Sequence, residues 1–280
     1  MRLLDSGTLR VFDVRCFSPA GAPGPEEHAD ATQVVLPLVG VFEVHHARDP
    51  VVADAASVVI LGAGLEHRVG HPAGGGDRSM VLVFPPGVVD EALAPGGRCG
   101  GPVGPGVHLG IRLLGGALRR DATAELEVEE FALLLLDRIG VDLGRTRGYR
   151  PPGRHQRERI ERVRALLAAA PTRQWRLEEL ARAVHCSPFH LSRQFRALTS
   201  CSIATYLYQL RLALALQRLA EGEADLAGLA ADLGFASHSH FAARFRSVFG
   251  VSPSSFRNSM TAARVTELRT MVTAEHRGAP

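Results

Sequence analysis

Between Trp175 and Arg257 the chain writes one pattern twice, and this constrains its fold more than any other feature. The first copy, LEELARAVHCSPFHLSRQF, has Leu177, Leu180, Ala181, Val184, Leu191, Phe195 and Leu198 as its apolar frame. The second, LAGLAADLGFASHSHFAARF, has Leu226, Leu229, Ala230, Leu233, Phe241, Phe245 and Val248. The frames are offset by 49 residues before the turn (Leu177 to Leu226) and by 50 after it (Leu191 to Phe241), so the second turn is one residue longer. A short helix, a tight turn and a second helix, repeated in register, imply two helix-turn-helix units. A chain with two such units is expected to bind DNA.

The local chemistry fixes which faces are free. Ser187 is suited to an N-cap and Pro188 to the first helical position, so the second helix of the first unit starts there. Leu191, Phe195 and Leu198 recur at i, i+4, i+7 and face inward. The outward stripe is then Phe189, Ser192, Arg193 and Arg196. Arginine bonds guanine edges bidentately, an aromatic ring contacts a thymine methyl, and serine serves in either role. Arg196, further along, suits a phosphate. In the second unit Asp225 caps Leu226–Leu233, Gly234–Ala236 turn, and Ser237 caps His238–Phe249. The corresponding stripe, Ser239, Ala242, Ala243 and Arg246, is a poorer reader of bases, while His238, His240 and Arg246 suit phosphates. Between the units, residues 203–220 read as one long helix that holds the two recognition helices apart. Before them, residues 155–170 read as a helix with Ile160, Val163, Leu166 and Leu167 inward and Arg157, Arg159, Arg162 and Arg164 outward.

Charge divides along the same line. Residues 1–153 hold 14 arginines against 19 carboxylates, whereas residues 154–262 hold 15 against 8. A net +7 on the helical part, in a chain of net +3, is the footprint of a polyanion partner. The start, MRLLDSGTLRVFDVR, lacks the apolar segment of a secretory signal, and no apolar run is long enough to span a bilayer. Cysteines 16, 99, 186 and 201 contain no CxxC pair, which argues against a disulfide framework or a zinc finger. No cofactor is expected.

From Leu9 to Val89 short β-prone runs alternate with Gly and Pro turns, as in an antiparallel sandwich or barrel. Gly87–Gly110 is glycine- and proline-rich and reads as irregular. Residues 122–139 read as a helix, and Gly140–Gly153 as an exposed linker. Glu43, His45, His46, His67, His71 and His108 carry nitrogen and oxygen donors that a metal inside a barrel would use, but their spacing matches no ligand motif. A small apolar or mixed pocket in the barrel mouth is the preferred reading.

The stretches SPFHLSRQFRALTSCS, YLYQLRLALALQRLAEG and LAADLGFASHSHFAARFRSVFGVSPSSFR resemble the AraC/XylS family of bacterial transcription regulators over about 100 residues. Gly234–Phe235 and the S-x-F…F-R…FG-x-S-P pattern carry the likeness. The resemblance implies two helix-turn-helix units on adjacent major grooves, with base contacts from Phe189, Ser192 and Arg193 and from His238, Ser239, His240 and position 243. Here Ala243 stands where the family often has arginine, with Arg244 beside it.

The resemblance further implies an α+β chain of two domains: an N-terminal cupin-like β-barrel and a C-terminal all-α domain containing two helix-turn-helix units. Its divisions are 1–120 (cupin-like, effector-binding), 121–153 (helix and linker), 154–262 (double helix-turn-helix) and 263–280 (polar tail). The expected function is sequence-specific, effector-gated transcription regulation in the cytoplasm. The expected partners are promoter DNA, RNA polymerase, a small-molecule effector and a second copy of the chain, without a membrane. Two other readings stay open: a cupin-type metal-dependent enzyme, and an effector-independent activator.

Overall fold

The computed structural model describes residues 1–46, 50–74, 76–85, 100–119, 125–145 and 153–262. The 263–280 tail, residues 146–152 of the expected linker, and Cys99 lie outside them. The strands are β1 (Arg2–Asp5), β2 (Arg10–Cys16), β3 (Glu27–His28), β4 (Thr32–Val39), β5 (Val41–His45), β6 (Val51–Asp54), β7 (Ser57–Leu61), β8 (Glu66–Gly70), β9 (Asp77–Phe84) and β10 (Gly100–Pro102). The helices are α1 (Pro105–Arg119), α2 (Glu125–Arg145), α3 (Arg154–Ala169), α4 (Leu177–Ala183), α5 (Pro188–Thr199), α6 (Ile203–Ala220), α7 (Leu226–Asp232), α8 (His238–Phe249) and α9 (Pro253–Ala262).

The strands pair antiparallel as two open sheets, β1-β2-β9-β4-β7-β10 and β3-β8-β5-β6. A closed barrel is not formed among the described residues. Strands β4 and β9 are apolar on both faces rather than alternating. Val34, Leu36, Leu38, Met80, Leu82 and Phe84 turn toward α1 and α2, while Val35, Val81 and Val83 meet Phe42, Val44 and Ala53 of the second sheet. Val41 and Val52, on that sheet's outer face, pack on Ile160 and Val163 of α3. The result is a layered stack of helices, sheet, sheet and helix, with side chains filling the space between the sheets.

Two expectations are corrected. The end of the glycine-rich 87–110 segment is ordered: it supplies β10 and the first turns of α1. Gly106, Gly110, Gly115 and Gly116 are buried in α1, and a Cβ at Gly115 would lie 2.5 Å from Met80 Cε. Close approach to the sheet outweighs glycine's poor helix propensity, about 1 kcal/mol per residue. The second correction concerns α2, which continues to Arg145, six residues into the stretch read as linker.

The C-terminal helices follow the sequence reading closely. The serine caps form as the chemistry requires: Ser187 Oγ accepts from the His190 N–H at 3.2 Å and Ser237 Oγ from the His240 N–H at 3.1 Å. Asp225 accepts from the Ala227 and Gly228 N–H groups at the start of α7. Helices α5 and α8 end on left-handed residues, Ser200 (φ 61°) and Gly250 (φ 74°).

Candidate nucleic-acid interface

Helix α5 is held by its buried Leu191 and Phe195, the latter edge-on to Tyr206 of α6 with ring centroids 5.4 Å apart. That anchoring leaves Phe189, Ser192, Arg193 and Arg196 on the open side, all four exposed. Phe189 is 78% exposed, the most accessible large apolar side chain of the helical part. Arg193 and Arg196 have no ion pair or side-chain hydrogen bond among the described residues, so both guanidiniums are available to an external acceptor. Arg159, read as outward on α3, is instead turned inward. It donates to Val184 O (3.2 Å) and Gln194 Oε1 (3.1 Å) and thereby fixes α3 to the turn and to α5.

Helix α8 is seated on a row of rings. Phe241, Phe245 and Phe249 follow one another at centroid spacings of 5.7 and 4.7 Å, and Phe249 rather than Val248 takes the last fully inward place. His238, Ser239, Ala243 and Arg246 are exposed. His240 is half-buried and packs edge-on against Tyr208 (6.2 Å) and Phe235 (5.8 Å). Its ring is therefore part of the unit's frame. The Arg244 guanidinium lies 5.5 Å from the Tyr208 ring centroid, a cation–π contact between α8 and α6.

The strut between the units, α6, has 18 residues and so spans roughly 27 Å at 1.5 Å per residue. Its key polar residue, which sequence reasoning missed, is Arg211. This buried guanidinium donates to the carbonyls of Pro171 (2.8 Å), Gly234 (3.1 Å) and Arg173 (3.2 Å). One side chain thus ties the loop entering the first unit to the turn of the second. Gly234 has φ +73°, and a Cβ there would come within 3.3 Å of that guanidinium. The left-handed φ favours glycine there. A charged residue between Leu210 and Leu212 was the available signal.

Two polar junctions join these helices to the sheets. In the first, Arg164, expected on the outer face of α3, is buried. It reaches Asp54 Oδ2 (3.1 Å), Glu161 Oε2 (2.7 Å) and the Tyr206 hydroxyl (2.8 Å). Tyr206 in turn donates to Asp54, and Glu161 accepts from the Val52 N–H at 3.3 Å. Burial opposes the charge on Arg164, but Asp54 and Glu161 hold its pKa well above the usual range; burial pushes both Tyr206 and Glu161 up. Helical periodicity misplaces Arg164 because its partners are Asp54, 110 residues away, and a tyrosine on another helix.

In the second junction Arg78 of β9 pairs with Asp13 (2.7 Å) and with Glu221, just past α6 (2.8 Å), while Arg119 also reaches Asp13 (2.6 Å). Burial works to raise the Asp13 pKa, yet bonds from Arg78 and Arg119 bring it down to about 2. Beside them Arg112 is buried, donates to Leu38 O (2.6 Å), and has no partner for its Nε. Burial and the neighbouring Arg78 lower its pKa to about 9. These groups line a cavity of about 300 Å³.

The histidine set does not converge. His45 lies 3.2 Å from Glu43, His46 bonds Glu66 O, His67 bonds Leu65 O, and His108 is buried in α1. Among the described residues the one ligand-bearing cluster of three is Cys16, His71 and Asp77.

Residues 180–259 match the family model "Helix-turn-helix domain". An AraC-like transcription regulator of Streptomyces lividans is 33% identical over 91 residues, covering 32% of this chain and 30% of that protein. The transcriptional activator RhaR of Klebsiella pneumoniae is 32% identical over 147 residues, covering 52% of this chain and 51% of its own length. The chain thus spans between about a third and a half of the relatives it matches. Among solved structures, ToxT from Vibrio cholerae is 14% identical, with 92% of this chain and all of that one covered and a TM-score of 0.37. A transcriptional regulator with an AraC-type DNA-binding domain from Chromobacterium violaceum is 23% identical over 38% of this chain and 95% of its own, with a TM-score of 0.36.

Proposed function

We propose that this chain, whose residues 180–259 match a helix-turn-helix domain model and resemble AraC-like regulators, is a sequence-specific transcription regulator that reads promoter DNA with α5 and α8. The observation that carries the reading is the exposed stripe Phe189, Ser192, Arg193 and Arg196, left free of internal partners on a helix fixed by cap and core. Arg193 and Ser192 read base edges, Phe189 covers a thymine methyl, and Arg196 holds phosphate. From α8, Ser239 faces the groove and His238 and Arg246 hold backbone, with His240 positioning the helix.

Immunoprecipitation of DNA bound to the tagged chain in cells identifies the site. A binding titration on that site at several salt concentrations then separates specific from non-specific affinity. Equal affinity for the recovered site and for scrambled DNA overturns the reading. RNA polymerase contact, a cytoplasmic location and a second copy docked on the exposed Leu126 and Leu133 of α2 belong to the same proposal. Sedimentation of Leu133→Glu beside the parent tests the last. No helix among the described residues is long and apolar enough to cross a membrane.

In this reading residues 1–120 are the cupin-like regulatory part, joined by 121–153 to 154–262. Gating is assigned to the junction with α6, where charged side chains line a cavity. The cavity beside Glu221 carries Arg78, Arg112 and Arg119, and Arg112 is buried with a donor to spare. A small anion seated there competes with Glu221 for Arg78 and so loosens the end of α6. A series of organic anions is scanned by thermal melting against Arg112→Met. Shifts present in the parent and lost in the variant support gating, and no shift for any anion supports the effector-independent activator instead. The enzyme reading has least support, because the histidines it requires lie in separate places.

A further inference from the structure

Strand β2 ends at Cys16 and β9 begins at Asp77, and the two are direct cross-strand partners. His71 follows β8 on the other sheet, so this corner is where the ends of both sheets meet. The His71 Nε2 lies 2.9 Å from Asp77 Oδ1. Thiol, imidazole and carboxylate each offer one atom within 4.8 Å of the other two. His71 and Asp77 are more than nine-tenths buried at their side chains, whereas Cys16 is half-buried and leaves one side open.

The backbone is built to keep them together. Gly76 has φ +83°, and a Cβ there would lie 2.0 Å from the Cys16 carbonyl oxygen. At Gly74, φ +59°, a Cβ would lie 3.1 Å from the Ala20 backbone nitrogen. At Gly76 the segment leading into Asp77 is thus pressed against the end of β2 by a contact that only glycine permits. Ser79 Oγ donates to Asp77 Oδ2 at 3.1 Å, the kind of outer contact that orients a ligating carboxylate.

We propose that Cys16, His71 and Asp77 form a three-ligand site for a divalent transition metal of the zinc class, with a fourth position open to water. A sulfur, a nitrogen and an oxygen donor suit Zn²⁺ or Co²⁺ and disfavour Mg²⁺ and Ca²⁺. Tetrahedral bonds of about 2.0–2.3 Å put ligand atoms roughly 3.3–3.8 Å apart, so these side chains converge by small rotations. On capture the metal displaces the Cys16 thiol proton to solvent, and the proton held between His71 Nε2 and Asp77 Oδ1 leaves that contact as both atoms turn to the ion. A plain His71–Asp77 ion pair beside a bystander thiol has the same coordinates but forms no metal–sulfur bond.

The site also has a route to the helices. Pro72 and Ala73, next to His71, line a cleft of about 440 Å³ whose far wall is Arg157, Glu158, Glu161, Arg162 and Ala165 of α3. Glu161 belongs to the buried Arg164 cluster. Metal capture fixes the sheet-side wall of that cleft, which makes the ion an input to the DNA-binding part. Metal binding itself stands independently of the regulator reading.

The test uses the full chain, reduced, stripped with chelator and titrated with Co²⁺ in the absence of DNA. One equivalent is expected to produce a thiolate-to-cobalt charge-transfer band in the near ultraviolet, with visible bands of four-coordinate intensity. Cys16→Ser should abolish the charge-transfer band with the far-ultraviolet circular dichroism unchanged. His71→Ala and Asp77→Asn should each weaken binding tenfold or more. Cys99→Ser, Cys186→Ser and Cys201→Ser, made singly, should leave the band intact. Absence of the band in the parent chain, or its survival in Cys16→Ser, overturns the proposal.

Discussion

The two helix-turn-helix units share a frame and differ in what they expose and in how they are attached. The first presents an aromatic ring, a hydroxyl and two guanidiniums that have no ion pair among the described residues. The second presents small residues, has turned His240 into its packing and leans Arg244 on Tyr208. Attachment differs as well. The first unit's core stops at α3 and the edge of the second sheet, where it is bridged by the buried charges of Asp54, Arg164 and Glu161. The second unit's rings run without a break into the apolar core of α1, α2 and the first sheet. The first unit thus meets the sheets through apolar packing of α3 supplemented by a buried charge cluster, whereas the second is continuous with the larger apolar core.

The largest expected effect tests the attachment. Arg164→Ala leaves Asp54 and Glu161 buried without their cation and should cost about 3–5 kcal/mol by denaturant titration. Phe245→Ala should cost a similar 3–5 kcal/mol by cavity formation, but without the salt or pH sensitivity of the first variant. Equal sensitivity of both would erase the distinction.

Acid sharpens the comparison at the other end of α6. The folded Asp13 pKa, about 2, lies below its ordinary value of 3.8. The stability it contributes, about 2 kcal/mol, is complete above pH 4 and disappears as pH falls toward 2. In Asp13→Asn that loss should be missing from the acid limb of a stability–pH curve.

Base reading comes next. Arg193→Ala should weaken binding to the preferred site by about 1–3 kcal/mol and relax selection at one base pair; a uniform loss on all sequences would falsify the reading. Arg196→Ala should instead lower the slope of log affinity against log salt by about 0.9, and an unchanged slope removes Arg196 from the phosphate contacts. The smallest effect is a gain: Ala243→Arg restores a reader to the second unit and should tighten binding severalfold. Unchanged affinity would mean that position 243 does not face the groove.

What was legible in the sequence was local. Ser187, Asp225 and Ser237 cap helices because a short oxygen-bearing side chain and free N–H groups lie within three residues of each other. The i, i+4, i+7 spacing of Leu191, Phe195 and Leu198 left only one face for Arg193. What was illegible was long-range. The outward reading of Arg164 and Arg159 followed helical periodicity correctly, but a guanidinium is long enough to turn inward when carboxylates or carbonyls from distant segments are waiting. Helix α1 was hidden for a related reason, since its glycines look like loop until the sheet they must approach is in place.

By itself, then, the sequence determined the duplicated unit, its caps and its outward stripe, because those depend on contacts within one or two turns of helix. Only the tertiary structure decided that the strands form two sheets, that Arg211 ties the units together, and that Asp54, Arg164 and Tyr206 meet. Those outcomes depend on which distant segments exclude water together, and burial of that kind is a property of the assembled chain rather than of any stretch within it.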